Sequence, residues 1–188
     1  MLQRSPDSFR ETPEFRFGRT GEQFVAQELQ RRGWYVIPSY DFCGEEGNKA
    51  PKLQGGSTRF VIPDLDISQA GMRRWVEVKA KDAATYTRIT DRLEHGIAAR
   101  HWRDYLEVEN ITGCEVWLAI YERDTGDVLI QSITKLRGLN GGPRNSMMKK
   151  NGDCEGAMVY FPRSAFIKMF NTGQPRGHWT YGTSLEST

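Results

Sequence analysis

The stretch FVIPDLDISQAGMRRWVEVKAK, Phe60 to Lys81, places two carboxylates and an ammonium where a small domain usually keeps apolar side chains. Asp64 follows Pro63 in one apolar run, and Glu77 and Lys79 sit in the next. The two runs read as a hairpin with its turn near Ser68–Gly71. Side chains alternate along a strand, so Trp75, Glu77, Lys79 and Lys81 share one face, and Val76, Val78 and Ala80 share the other. A plain amphipathic strand with Glu77 and Lys79 in water is one explanation. The other is chemical. A hairpin brings Asp64 near Glu77, and converging carboxylates repel each other unless a cation holds them. Hard oxygen ligands favour Mg2+ or Mn2+, and Mg2+ usually takes one or two carboxylates, with waters and phosphate oxygens as its other ligands. A lysine two positions past such a ligand reaches a metal-bound water or a phosphate, where it offsets developing negative charge.

A third carboxylate comes from upstream. GRTGEQFVAQELQRRGW reads as a helix over Thr20–Arg32, with Thr20 as N-cap and Gly33 as the stop. Glu22 lies three, four and seven residues before Val25, Ala26 and Leu29, on the apolar stripe. In a first turn it also complements the helix dipole.

The remaining elements follow from periodicity and turn residues. Residues 1–17 read as an irregular lead-in, and WYVIPSY as a strand limited by Pro38. Asp41–Thr58 reads as a loop. After the hairpin, KDAATYT is a loop, and a second helix is predicted over Asp91–Ile111, closed by Gly113. Ile97, Ala98, His101 and Tyr105 then fall on one helical face. CEVWLAIYE and DVLIQSI are strands. A glycine-rich basic loop, a short strand AMVYFP and a short helix RSAFIKMF complete the chain. The order predicts an α/β fold with a central mixed sheet flanked by helices. It divides into the lead-in, a core over 18–133, and a basic extension over 134–188 packed on the same domain.

Composition sets the outer bounds. At 188 residues the chain suits a single domain with a real core. No apolar run is long enough to span a bilayer and the N-terminus has no apolar signal core, which predicts a cytoplasmic protein. Cys43, Cys114 and Cys154 form no CxxC pair, which argues against zinc and for reduced thiols. The net charge is only +2, yet eight basic residues between Thr134 and Arg176 face two acids. A basic C-terminal region on a mildly acidic body suits a polyanion partner.

Pro63-Asp64, twelve residues, then Glu77-Val78-Lys79 resembles the motif of the PD-(D/E)XK nuclease superfamily, the restriction-endonuclease-like and Holliday-junction-resolvase-like proteins. TGEQFVAQELQRRGWYVIPSY resembles its first core helix and strand, glutamate included. The resemblance covers about residues 18–133 and implies the core order helix, three strands, helix, strand. It implies a Mg2+-dependent deoxyribonuclease, with Mn2+ as a substitute, and DNA as substrate and partner. Asp64 and Glu77 would ligate the metal together with the Val78 carbonyl. Lys79 would position or activate the attacking water, and Glu22 would support the site or ligate a second metal. Asp66 shares the run with Asp64 and could replace it; the preceding proline favours Asp64. Some relatives carry a glutamine and a tyrosine four apart on the second helix; here His101 and Tyr105 stand there, so His101 departs from that pattern. Lys49 and Lys52 on one side, and Arg144, Lys149 and Lys150 on the other, would contact nucleic acid. Many relatives act as homodimers. The alternative is a nuclease-fold module that binds nucleic acid or a protein partner without catalysis; the aromatics of HWTYGT would suit a protein partner.

Overall fold

Thr12 opens the first helix. Its hydroxyl accepts the Phe15 amide at 3.2 Å and Pro13 takes the first helical position, so α1 spans Pro13–Arg31. The helix therefore begins at Pro13 and not at Thr20, and includes residues expected to be irregular. Thr20 lies inside it, with its hydroxyl bonded back to the Arg16 carbonyl at 2.9 Å. The computed structural model describes residues 12–38, 52–55, 58–139, 143–150 and 153–173.

Strand β1 is Tyr35–Pro38, β2 Lys52–Gly55, β3 Thr58–Val61, β4 Leu65–Gln69 and β5 Met72–Lys81. Part of the expected 41–58 loop is thus strand: β2 and β3 pair as an antiparallel ribbon. The β4–β5 turn has Ala70 at φ 49° and Gly71 at φ 81°, the doubly positive geometry that matches strand twist in tight hairpins. Further on come β6 (Thr85–Thr87), β7 (Arg92–Ala98), helix α2 (Ala99–Thr112), β8 (Glu115–Glu122), β9 (Asp127–Ser132) and the short helix α3 (Ile133–Arg137). Last are β10 (Arg144–Lys150), β11 (Asp153–Pro162), a 3-10 turn Arg163–Ala165, and β12 (Ile167–Asn171).

Among the described residues the strands form a six-stranded sheet in the order β1-β4-β5-β8-β9-β12 and a four-stranded sheet in the order β10-β11-β7-β6. The first is mixed, because β5 and β8 run parallel while its other neighbours run antiparallel. A parallel pair needs a crossover, and α2 lies on it. Setting aside the β2–β3 ribbon and the β6–β7 strands, the order is helix, three strands, helix, strand, as the restriction-endonuclease-like resemblance implied.

Helix α1 covers one face of the mixed sheet. Val25 and Leu29 are buried against Leu65, Ile67, Val76, Val78 and Tyr121, and each such side chain contributes about 1.5–3 kcal/mol. Helix α2 lies on the other face. Trp102, Tyr105 and Val108 pack among Trp75, Leu118, Ile120 and Phe161 of the two sheets.

The second half of the chain departs most from the sequence reading. The helix predicted over Asp91–Ile111 is a strand followed by a helix, because β7 completes a sheet with β11. Gly96 sits beneath the Tyr160 ring, and a Cβ there would lie 2.7 Å from Cε1. Arg144 covers that ring at 4.3 Å, so it cannot swing away freely. Gly96→Ala is expected to cost about 1–3 kcal/mol by overpacking, measurable by thermal denaturation. The basic loop is largely the β10–β11 hairpin, and AMVYFP is the end of β11. RSAFIKMF is the 3-10 turn followed by β12, not a helix.

Ion pairs join the two sheets. Glu122 of β8 accepts His95 Nε2 of β7 at 2.7 Å and both Arg163 arms at 2.8 and 2.6 Å. Arg163 also reaches Asp127 at 3.3 Å. On β7 itself, buried Glu94 holds Arg144 at 2.6 Å and Arg92 at 3.2 Å.

Candidate active site

The site forms where β4 stops pairing with β5. Their register ends at Leu65↔Val76, and Pro63, which has no N–H, cannot extend the ladder. Beyond Val76, strand β5 continues alongside β8 alone, through Lys81↔Glu122. The Val78 amide on the open side is taken by a side chain: Asp64 Oδ2 accepts it at 2.8 Å. In an antiparallel ladder a residue's amide and carbonyl leave the strand on the same side, so the Val78 carbonyl also faces Asp64.

Glu77 and Lys79 project from β5 toward α2. Glu77 is buried, at 2% exposure, and Lys79 Nζ is ion-paired to Glu77 Oε1. Tyr105 of α2 is buried beside Glu77. Its hydroxyl pKa is pushed well up, first by burial and then by the Glu77 charge. The His101 ring lies 6.1 Å from that of Tyr105. Burial, and then the Lys79 charge, depress the His101 pKa and favour its neutral form. Ile97 belongs to β7 and Ala98 caps α2, so only His101 and Tyr105 of the predicted face are helical.

The charges are strongly coupled. Burial raises the Asp64 pKa well above its usual value, and Glu77 and Glu22 add to the rise; Lys79 and the Val78 amide oppose it. For Lys79, burial is the largest single influence and pulls downward. Glu77, Asp64 and Glu22 together outweigh it and hold the ammonium charged. Glu22 therefore acts on the site from α1 by its field, while its carboxylate pairs with Arg19 at 3.1 Å. Asp66 is engaged elsewhere, by Arg73 at 3.0 and 2.6 Å.

The donor types fit a divalent cation. Asp64, Glu77 and the Val78 carbonyl are hard oxygens, and Asp64 and Glu77 destabilise each other as anions. Among the described residues no three His, Cys, Asp or Glu side chains gather into a metal cage. Two carboxylates and a carbonyl instead match an ion that keeps most of its ligands from water and substrate.

The expected nucleic-acid contacts lie less near at hand. Lys49 is outside the described residues, as are the side chains of Lys52, Lys149 and Lys150, whose backbones belong to β2 and β10. The HWTYGT segment also lies outside them. Arg144 turns toward Glu94 and Tyr160. No helix among the described residues is long and apolar enough to cross a membrane. One cation on the site face is not evident as such from sequence. Strand alternation puts Lys81 there, but its surroundings emerge only in the fold.

No family model and no curated protein sequence matches the chain. Solved structures are similar to it, two nucleases among them. The Holliday junction resolvase Hjc of Archaeoglobus fulgidus, an archaeal hyperthermophile, is 14% identical, with 79% of this chain and 91% of that one covered and a TM-score of 0.48. A nuclease from a fusselovirus is 9% identical, with 89% and 90% covered and a TM-score of 0.44.

Proposed function

We propose that this chain is a metal-dependent nuclease that hydrolyses DNA phosphodiester bonds by in-line attack of water. The observation that carries the reading is the pairing of Asp64 with the Val78 amide at the end of the β4–β5 ladder, beside buried Glu77 and its Lys79 partner. The sheet opens there, and an opening lined by acids and a charged lysine suits a phosphodiester and its metal.

Asp64, Glu77 and the Val78 carbonyl would hold Mg2+, or Mn2+ in its place. When bound, the ion supplies charge neutralisation at phosphate oxygens and acidifies water. Lys79, kept protonated by its three acidic neighbours, orients the attacking water and opposes negative charge growing on phosphorus-bound oxygens. Tyr105, buried beside Glu77, walls the α2 side of the site. His101, favoured neutral, lines the α2 side of the site without adding to its positive charge.

A second reading is a nucleic-acid-binding module without catalysis. It is favoured by the ion pair between Lys79 and Glu77, which engages one of the ligating oxygens. A cleavage panel separates the two. Purified protein is incubated with linear, nicked, branched and single-stranded DNA and with RNA, in Mg2+, Mn2+ or EDTA. The nuclease reading expects DNA cutting in either metal and none in EDTA. Salt-sensitive binding without cutting on any substrate would favour the module.

A further inference from the structure

Lys81 ends the strand that carries Glu77 and Lys79, on the same face. It is partly buried, and among the described residues it makes no ion pair and no side-chain hydrogen bond. Its register neighbour on β8 is Glu122, whose two oxygens are already taken by His95 and both arms of Arg163. Asp82, the next residue, is paired to Arg123. Lys79, which faces it, is satisfied by Glu77. The ammonium thus shares its strand face with a second cation, and the acids next to it in the chain and across the ladder serve other partners. Burial, and then the Lys79 charge, lower its pKa, as expected of a cation without an anion. Leaving an ammonium in that setting costs stability unless an anion arrives to share it.

We infer that Lys81 is a phosphate-binding residue of the site, which takes a backbone phosphate of the bound nucleic acid next to the one held at Asp64, Glu77 and Lys79. This rests on the nuclease reading and adds to it a phosphate contact along the β5 face. The unpaired ammonium is pre-placed for the substrate, so stability of the free protein is traded for affinity.

The trade provides the test. DNA affinity of the full chain is measured in Ca2+ over a range of salt, with wild type, Lys81→Gln and Lys81→Arg, beside the melting temperature of each without DNA. Lys81→Gln is expected to bind about tenfold more weakly and to reduce the slope of log K against log salt by about one phosphate contact. It should also melt at a higher temperature than wild type, and Lys81→Arg should recover the affinity. Unchanged affinity and slope in Lys81→Gln, with wild-type binding intact, overturns the inference and leaves the nuclease reading standing. Weaker binding together with a lower melting temperature overturns it too, because that is the signature of a structural lysine. A wild type that neither binds nor cuts DNA overturns the nuclease reading and this inference with it.

Discussion

Asp64→Asn is expected to remove the proposed metal-dependent DNA cleavage and to raise the melting temperature at neutral pH. The two effects have one cause. Asparagine keeps an oxygen for the Val78 amide that Asp64 now accepts at 2.8 Å, so the local backbone keeps its partner. What is lost is the negative charge, and with it the hard anionic ligand; the expected loss of rate is about a thousandfold or more. In the free protein that charge is a burden. Burial, then Glu77 and Glu22, raise the Asp64 pKa well above its ordinary value of 3.8. A carboxyl raised in this way stabilises the fold fully below its unfolded pKa, and the contribution is lost as pH rises through the folded pKa. The advantage of Asp64→Asn over wild type should therefore grow from about pH 4 toward neutrality, at about 2–4 °C per kcal/mol for a chain of this size. Added Mg2+ should raise the melting temperature of wild type and not of the variant. Scanning calorimetry across pH, with and without metal, checks both statements.

Glu122→Leu has the largest expected cost to stability. Glu122 is 1% exposed and is the acceptor on which His95 and Arg163 converge, so its loss strands two donors between the sheets. Breaking a buried pair typically costs about 3–5 kcal/mol; the low end applies because Arg163 is 32% exposed and reaches water. A cost of about 3 kcal/mol corresponds to a melting-temperature drop of about 6–12 °C. Replacing Arg163 by Met in the same chain should recover part of it, since an apolar pair strands fewer charges. The network also sets an acid limit. Burial works to raise the Glu122 pKa, yet the hydrogen bonds from His95 and Arg163 outweigh it and hold it at about 2 rather than 4.5. Glu94 is likewise held at about 2, where Arg144, Thr87, Thr90 and Arg92 overcome burial. Both groups stabilise the fold above about pH 4.5, and that stability is lost as pH falls toward 2. Glu122→Leu should flatten this acid branch of the stability curve.

The parts of the fold read most directly from sequence are those set by local chemistry. The β4–β5 hairpin was legible because its turn, its alternation and Pro63 lie within one short stretch. The stripe of Val25 and Leu29 marked α1, although the cap is Thr12, a residue outside that stripe. Strand β7 was not legible. RLEHGIA continues into a run of good helix formers, and what makes it a strand is remote: Tyr160 over Gly96, Arg144 on Glu94 and Glu122 on His95. The same holds for β10 and β11, whose glycines and charges read as loop until their partners are in view. At the site, spacing singled out Asp64, Glu77 and Lys79, and period-two alternation placed Lys81 beside them. Neither spacing nor alternation shows that Asp66 belongs to Arg73, that Tyr105 lies beside Glu77, or that no acid among the described residues pairs with Lys81.

The proposed function puts Lys79 at the centre of a metal-dependent hydrolysis at this opening in the sheet. Its most direct test is cleavage of the preferred DNA by wild type and Lys79→Ala side by side in Mg2+, with binding of each measured in Ca2+. Wild type is expected to cut, and Lys79→Ala to bind the DNA but leave it intact. Equal cutting by the two proteins would contradict the proposed role of Lys79.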